Sequence, residues 1–316
     1  MGRTPERGGV NETRWLFPAD ELRFSSRPQE GNFLSLRHPV WTEDKARLIQ
    51  TYLQLFIYIT KHGTYIDGFA APQRRDLSEL CSARLVLETE PKWMRDFWLC
   101  DLEPAGVEIL EALATKHRIK PRRVTVLAGD FNTTVDQVLA SPRITAKTAT
   151  FALLDQRTFE CDWETVRRLA AHKPSLGASE TKIELFYFLA TGWLDRSIRS
   201  VRRPETATRL ERWWGRPDWR DLHGIQGIPR ANALAARFRD ELGYKSARAY
   251  AIHSRRQGGR IMYHMIHATD HDVAPSLMLR AHRKVSGRED IDLAAAQVDM
   301  DELWREAEGG EDAPED

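Results

Sequence analysis

The chain is poor in cysteine, has no long hydrophobic run and lacks the glycine-rich loops that mark most nucleotide enzymes. No apolar stretch approaches the ~18–20 residues a membrane-spanning helix needs. The opening residues, MGRTPERGGVNETRW, contain no apolar core, so a secretory leader is not read there and a cytoplasmic location is expected. Cys81, Cys100 and Cys161 stand far apart without a C-x-x-C, which predicts reduced core thiols and no structural zinc. His264, His267 and His271 lie near Asp270 and Asp272, but positions 264 and 267 of a strand face opposite ways, so no metal site is expected. Both G-x-G-x-x-G and G-x-x-x-x-G-K-[ST] are missing, which argues against a dinucleotide fingerprint and against a P-loop. There is no internal repeat.

What remains is a composition suited to a globular α/β protein: 316 residues, 41% hydrophobic and 29% charged. The net charge of +1 conceals an asymmetry, because residues 288–316 carry twelve acids against two arginines. A basic body with an acidic tail suits an anionic partner, and the tail is able to compete for the same surface; a tail that merely aids solubility is the plainer reading. Residues 1–40 read as a loosely ordered arm, 41–287 as the folded domain, and 288–316 as the tail.

"WTEDKARLIQTYLQLFIYITKHG" reads as a helix, with Thr42 as N-cap and Gly63 as its close. Ile49, Tyr52, Leu53 and Phe56 form its buried stripe. Five short apolar runs follow: Tyr65–Ile66, Phe97–Cys100, Val124–Leu127, Phe151–Leu154 and Ile183–Phe188. Between them, "EPAGVEILEALATKH", "NTTVDQVLA" and "DWETVRRLAAHK" read as amphipathic helices, the last capped by Asp162. Apolar strands alternating with helices predict a doubly wound, mostly parallel α/β sheet covered on both faces. Residues 203–243 read as a helical insertion, and "SARAYAI" with "RIMYHMIHA" as a C-terminal antiparallel strand pair around Gly258 and Gly259.

Four of the five parallel strands are followed by an acid: Asp67, Asp101, Asp130 and Asp155. Ligands of open parallel sheets bind at this carboxyl edge, where strand order reverses. Asp67, with Gly68, Phe69 and Ala70, would form the turn beside a cationic ligand. Asp101 suits ribose hydroxyls, and Asp130 with Phe131 suits adenine. Asp155 and Arg157 stand where reacting groups are often placed, and Lys45 is a candidate pocket lysine. A D-G-F-A turn fits a cofactor without pyrophosphate, such as S-adenosyl-L-methionine. For each acid taken alone, a strand-end carboxylate that caps a helix or meets solvent is the competing reading.

"WTEDKARLIQTYLQLF", "YIDGFAAP", "LLDQRTFECDW" and "RIMYHMIHATDHD" together resemble the three-Cys-motif partner protein (TcmP) family over residues 38–285. The resemblance implies a Rossmann-type, S-adenosylmethionine-dependent methyltransferase-like fold and a separate partner protein that carries the three-cysteine motif. It also implies a role in mobile-element or phage-related modules. Members usually read D-G-F-A-G-P-G and D-P-x-G; here Ala71, Gln73, Gln156 and Arg157 depart from that pattern. The departures predict strain wherever a positive φ is needed and a looser loop after Asp155. The segment after Gln73 also lacks a glycine before the next helix, where Ser82 is the expected cap.

In the acceptor loop, D-Q-R-T is not the [DNS]-P-P-[YFW] of amino methyltransferases on DNA, and no cysteine sits where a cytosine-5 enzyme needs one. Between Trp193 and Arg220 lie eight arginines and four tryptophans. Arg202, Arg203, Trp213 and Trp214 are the candidate nucleic-acid surface; a helical subdomain with core tryptophans and paired arginines is the alternative. The reading is therefore a methyltransferase acting on or near nucleic acid with a partner. A catalytically degenerate scaffold is the alternative, and a metal phosphodiesterase a weaker third.

Overall fold

The computed structural model describes residues 43–72, 81–173, 181–191, 194, 198, 201, 204–253 and 261–286. The arm 1–40, Thr42, Gln73, Gly258, Gly259 and the tail lie outside these, as do Trp193, Arg196, Arg199, Arg202 and Arg203.

Helix α1 (Glu43–Thr60) is followed by β1 (Thr64–Asp67), α2 (Ser82–Glu88), β2 (Asp96–Asp101), α3 (Pro104–His117), β3 (Arg123–Ala128) and α4 (Phe131–Leu139). Then come β4 (Thr150–Leu154), α5 (Trp163–Ala171), β5 (Glu184–Leu189), α6 (Pro204–Trp214), a 3-10 turn (Pro217–Gly224) and α7 (Gly227–Asp240). Strands β6 (Ser246–His253) and β7 (Ile261–Thr269) and helix α8 (Ala274–Ser286) complete the described order.

The seven strands form one sheet in the order β3-β2-β1-β4-β5-β7-β6. Pairs among β1 to β5 are parallel, while β7 runs antiparallel to both β5 and β6. This is the doubly wound, mostly parallel α/β sheet with a C-terminal antiparallel pair expected from the sequence. The strand order reverses between β1 and β4, which opens a crevice at their carboxyl ends. All five parallel strands coincide with the apolar runs, because a strand covered on both faces reads as continuous hydrophobic sequence.

One face of the sheet carries a core drawn from α4, α5, α6, the 3-10 turn and α7, including Val135, Val166, Leu210, Trp213 and Phe238. The other face is covered by α1, whose stripe Ile49, Tyr52, Leu53 and Phe56 is buried. The Tyr52 and Phe56 rings meet Phe151 of β4 at 5.7 and 5.9 Å. A polar knot fixes this helix along its axis. Glu184, first residue of β5, accepts hydrogen bonds from the Tyr52 hydroxyl, from His267 Nε2 at 2.8 Å and from Thr269 at 3.2 Å. A buried carboxylate is tolerable only with such donors. Because α1 is clamped at Tyr52, Lys45 sits two turns away, about 10 Å along the axis, at the carboxyl edge of the sheet.

Several local expectations change. The left-handed residue that ends α1 is Lys61, at φ +60°, whose N–H bonds the Ile57 carbonyl at 2.9 Å. Gly63 serves space instead: a Cβ there would lie 3.0 Å from the Ala149 carbonyl oxygen. The cap of α2 is Cys81, whose sulfur accepts from the Arg84 N–H at 3.4 Å, not Ser82. Asp162 holds the cap position of α5 but makes no capping bond. Asn132 takes over by accepting the Asp162 N–H at 2.9 Å and the Thr165 hydroxyl at 2.8 Å. The three cysteines are free and buried.

The largest correction concerns the Arg/Trp segment. Trp213 and Trp214 are 2% and 5% exposed, so neither ring is open to stack on a base. Their aromatic faces are used inside the fold. Arg237 lies over Trp163 at 4.0 Å and over Trp214 at 4.1 Å, and donates to the Trp214 carbonyl at 2.6 Å. Arg216 pairs with Asp218 and Glu241, and Arg220 lies over Trp219. The hydrophobic return on burying large rings outweighs any exposed role for them.

Candidate functional site

The acids at the carboxyl edge fall into two kinds. Asp67 is fully buried and faces inward. Its oxygens accept from the Ser82 hydroxyl at 2.8 Å, the Tyr65 hydroxyl at 3.0 Å and the Phe69 N–H at 3.2 Å. Burial pushes its carboxyl up to about 7; the Ser82 bond opposes the shift and the nearby Asp155 charge adds to it. The folded form therefore keeps a proton that the unfolded chain releases between about pH 4 and 7. Stability contributed at this site is present at low pH, falls as pH rises through that window, and is flat above it. Asp67→Asn is expected to remove this fall. Urea unfolding of both proteins at several pH values checks it, and identical pH dependence in the two would exclude Asp67 as the source.

Asp101, 6% exposed, ends β2 and organises the turn after β1. Its two oxygens accept the Ala71 N–H at 3.1 Å and the Glu103 N–H at 2.9 Å. Burial raises its carboxyl, and the two main-chain N–H groups and the Arg157 charge oppose that rise. One backbone donor per oxygen leaves each oxygen a further lone pair for a hydroxyl. Asp130 caps α4, accepting from the Asn132 N–H at 2.9 Å, and is exposed.

Ala71, where a glycine was the pattern, is not strained: the one non-glycine with positive φ among the described residues is Lys61. Its methyl is matched by Gly106 on α3, where a Cβ would lie 2.6 Å from Ala71 Cβ and 2.8 Å from Asp101 Oδ1. Gly68 is needed for room as well, since a Cβ there would lie 2.5 Å from the Phe131 ring. Phe131 is buried and meets Phe69 edge-on at 6.0 Å, so it closes over the turn.

Asp155 and Lys45 meet. Lys45, 1% exposed, donates to both Asp155 oxygens at 2.8 Å. Its ammonium also lies 4.9 Å from the Phe188 ring centre and 5.7 Å from that of Tyr263. Residues 110 apart in sequence thus build one ion pair at the ends of β4, β5 and β7.

The loop after Asp155 is braced, contrary to the looseness expected. Gln156 is buried; its Nε2 donates to the Phe188 carbonyl at 3.2 Å and its Oε1 accepts the Cys161 N–H at 2.9 Å. Glu160 accepts the Arg157 N–H at 2.8 Å. An amide that gives and accepts at once replaces the stiffness a proline would lend. Burial raises the Glu160 carboxyl, opposed by the Arg157 N–H and by the charges of Arg157 and Arg209. Arg157 therefore stands electrostatically between Asp101 and Glu160.

The structure brings Lys45, Asp67 and Asp155 together, and Asp101 with Arg157. It leaves Asp130 toward Asn132 and Asp162. Glu160, Phe188 and Tyr263 were missed from sequence, while Ser82 was read only as a helix cap and Gln156 only as a departure from the family loop. Only R-x-x-E over Arg157–Glu160 carried a local hint of one of them. His264 and His267 turn to separate partners, Thr191 Oγ1 at 2.6 Å and Glu184.

No family model and no curated protein matches the chain. Solved structures with a similar path include the methyltransferase domain of bacterial CtHen1-CN (10% identity, 72% of this chain and 100% of that one, TM-score 0.40). Others are M. jannaschii TYW2 in complex with AdoMet (10%, 72% and 76%, 0.36) and a DUF574 family protein from Streptomyces avermitilis (14%, 71% and 82%, 0.40). The strand order, not these distant likenesses, carries the fold.

Proposed function

We propose that the chain is an S-adenosylmethionine-dependent methyltransferase that acts on or near nucleic acid together with a three-Cys-motif partner. One observation supports the cofactor half most: beside the turn that leaves β1 at the switch point stands Asp101, at the end of β2, ordered by two main-chain donors with lone pairs to spare. The cofactor would be held by Asp101 and Asp130 at its nucleoside and by the Gly68–Ala70 turn. When bound, it supplies an electrophilic methyl group. Asp155 orients an acceptor and takes its proton, and Lys45 holds that carboxylate in place. Arg157 offers a cation to a phosphate beside the site. Positioning of this kind is the main lever for an in-line displacement. The nucleic-acid and partner halves rest on the family resemblance and on the basic balance of residues 1–287.

Calorimetric titration with S-adenosylmethionine and its demethylated product tests this. Binding is expected, and Asp101→Asn is expected to weaken it roughly tenfold or more, the worth of one charge-assisted hydrogen bond. Folded protein that binds neither compound would refute the reading.

A second reading, a methyltransferase fold retained as a binding scaffold, is favoured by a specific feature. Phe131 closes over Gly68, Asp67 is buried and bonded inward, and Lys45 already holds Asp155. The same titration separates the two, since a scaffold of this kind takes up neither cofactor form.

A further inference from the structure

The amino edge of the sheet, opposite the candidate site, carries exposed aromatics among cations. Three connections meet there: the end of α1, the loop from α2 to β2, and the loop from α3 to β3. Main-chain bonds join them, with Arg95 N–H to the Gly63 carbonyl at 3.2 Å and Arg123 N–H to the Arg95 carbonyl at 2.7 Å. Across residues 61–63, 88–95 and 116–123, seven exposed Lys or Arg face two exposed carboxylates, Glu88 and Glu90. Lys61, Arg95, Lys116 and Lys120 have no carboxylate within 4.0 Å among the described residues. Burial lowers the His117 pKa, the charges of Arg122, Lys92 and Lys116 add to that and Glu88 opposes it, so groups of the second connection lie close to the third.

Within this field lie Tyr58 (48% exposed), Ile59 (45%), Trp93 (40%) and Ile119 (68%). Tyr58 and Trp93 meet edge-to-face at 5.8 Å, and the Lys61 ammonium lies 4.9 Å from the Trp93 ring centre. Folding normally hides such rings, and these four side chains are left to water in one basic region. Cations without carboxylates next to half-exposed aromatic rings match a polyanion whose flat apolar groups are themselves uncovered. A duplex offers the charge but keeps its base faces stacked.

We infer that this amino edge binds single-stranded nucleic acid, with Lys116 and Lys120 on phosphates and Trp93 and Tyr58 against bases. The site is distinct from the carboxyl-edge pocket, and its binding requires neither cofactor nor catalysis. The test is fluorescence anisotropy of the full chain with labelled single-stranded DNA and RNA of about 20 nucleotides, enough to span such a surface. The matching duplex and a peptide of residues 288–316 are run alongside. Single strands are expected to bind, with the paired change Lys116→Glu and Lys120→Glu weakening them at least tenfold. That change also lowers the log–log salt slope by about 0.7 for each phosphate that is no longer neutralised. Trp93→Ala is expected to weaken binding about tenfold. Circular dichroism spectra that match the parent below the melting transition show that the fold is kept in these variants. Equal binding by the variants, equal affinity for the duplex, or tighter binding of the acidic peptide than of either strand would each overturn the assignment. S-adenosylmethionine titration of the same variants is expected to match the parent, so failure here is distinguishable from failure of the cofactor reading.

Discussion

Replacing Lys45 with methionine is expected to destabilise the protein by about 3–5 kcal/mol, the usual cost of stranding one member of a buried ion pair. Lys45 is 1% exposed and Asp155 keeps only 9% of its side chain in water, so solvent cannot take over from the missing ammonium. The Phe188 and Tyr263 rings lie beside the ammonium, at 4.9 and 5.7 Å from their centres, and a methionine side chain would meet them without donating to the carboxylate. In a domain of this size the loss corresponds to a melting-temperature fall on the order of 10 °C. Adding Asp155→Asn to the methionine variant removes the stranded charge and is expected to restore much of the loss. Chemical denaturation of the two single variants and the double variant measures the coupling. A methionine variant as stable as the parent would mean that the pair contributes nothing.

Trp213→Ala is expected to cost a similar amount, about 3–5 kcal/mol, for a different reason. Trp213 is 2% exposed and packs against Phe159 at 5.1 Å and Trp214 at 5.9 Å. Truncation leaves a void between α6 and the loop after β4, which cannot close because Gln156 and Glu160 tie that loop down. Nucleic-acid affinity, measured by anisotropy below the lowered melting point, is expected to stay unchanged. Trp93→Ala gives the opposite pattern, with a stability loss of only about 1–2 kcal/mol from its Tyr58 and Lys61 contacts and weaker binding. Loss of affinity without loss of stability at Trp213 would return that residue to the surface role its sequence neighbours suggested.

The contrast between the two tryptophans explains why composition misled. Eight arginines and four tryptophans in one stretch resemble a nucleic-acid surface whether the rings face in or out. Trp213 belongs to an amphipathic helix, and burial of its face in the core beside Phe159 decides its fate. Trp93 lies in a short loop with no such pattern, and nothing local announced its exposure.

The same division runs through the site. Asp67, Asp101, Asp130 and Asp155 were legible because each follows a continuous apolar run, and strand periodicity is a local property. The partners of these acids were not. Ser82, Lys45 and Ala71 are separated by 15, 110 and 30 residues from the carboxylates they meet. Ala71 looked costly by its turn alone, but Gly106 on another element supplies the room.

The sequence by itself determined the alternation of strands and helices, the mostly parallel sheet with its antiparallel end, and the four acids at one edge. Each follows from hydrophobic spacing over a few residues, which the chain encodes wherever it folds. Only the tertiary structure decided which acids face inward, which lysine meets Asp155, which tryptophans are core, and where the open aromatic edge lies. Those outcomes depend on contacts between distant elements, whose distances and shared burial no local pattern can state.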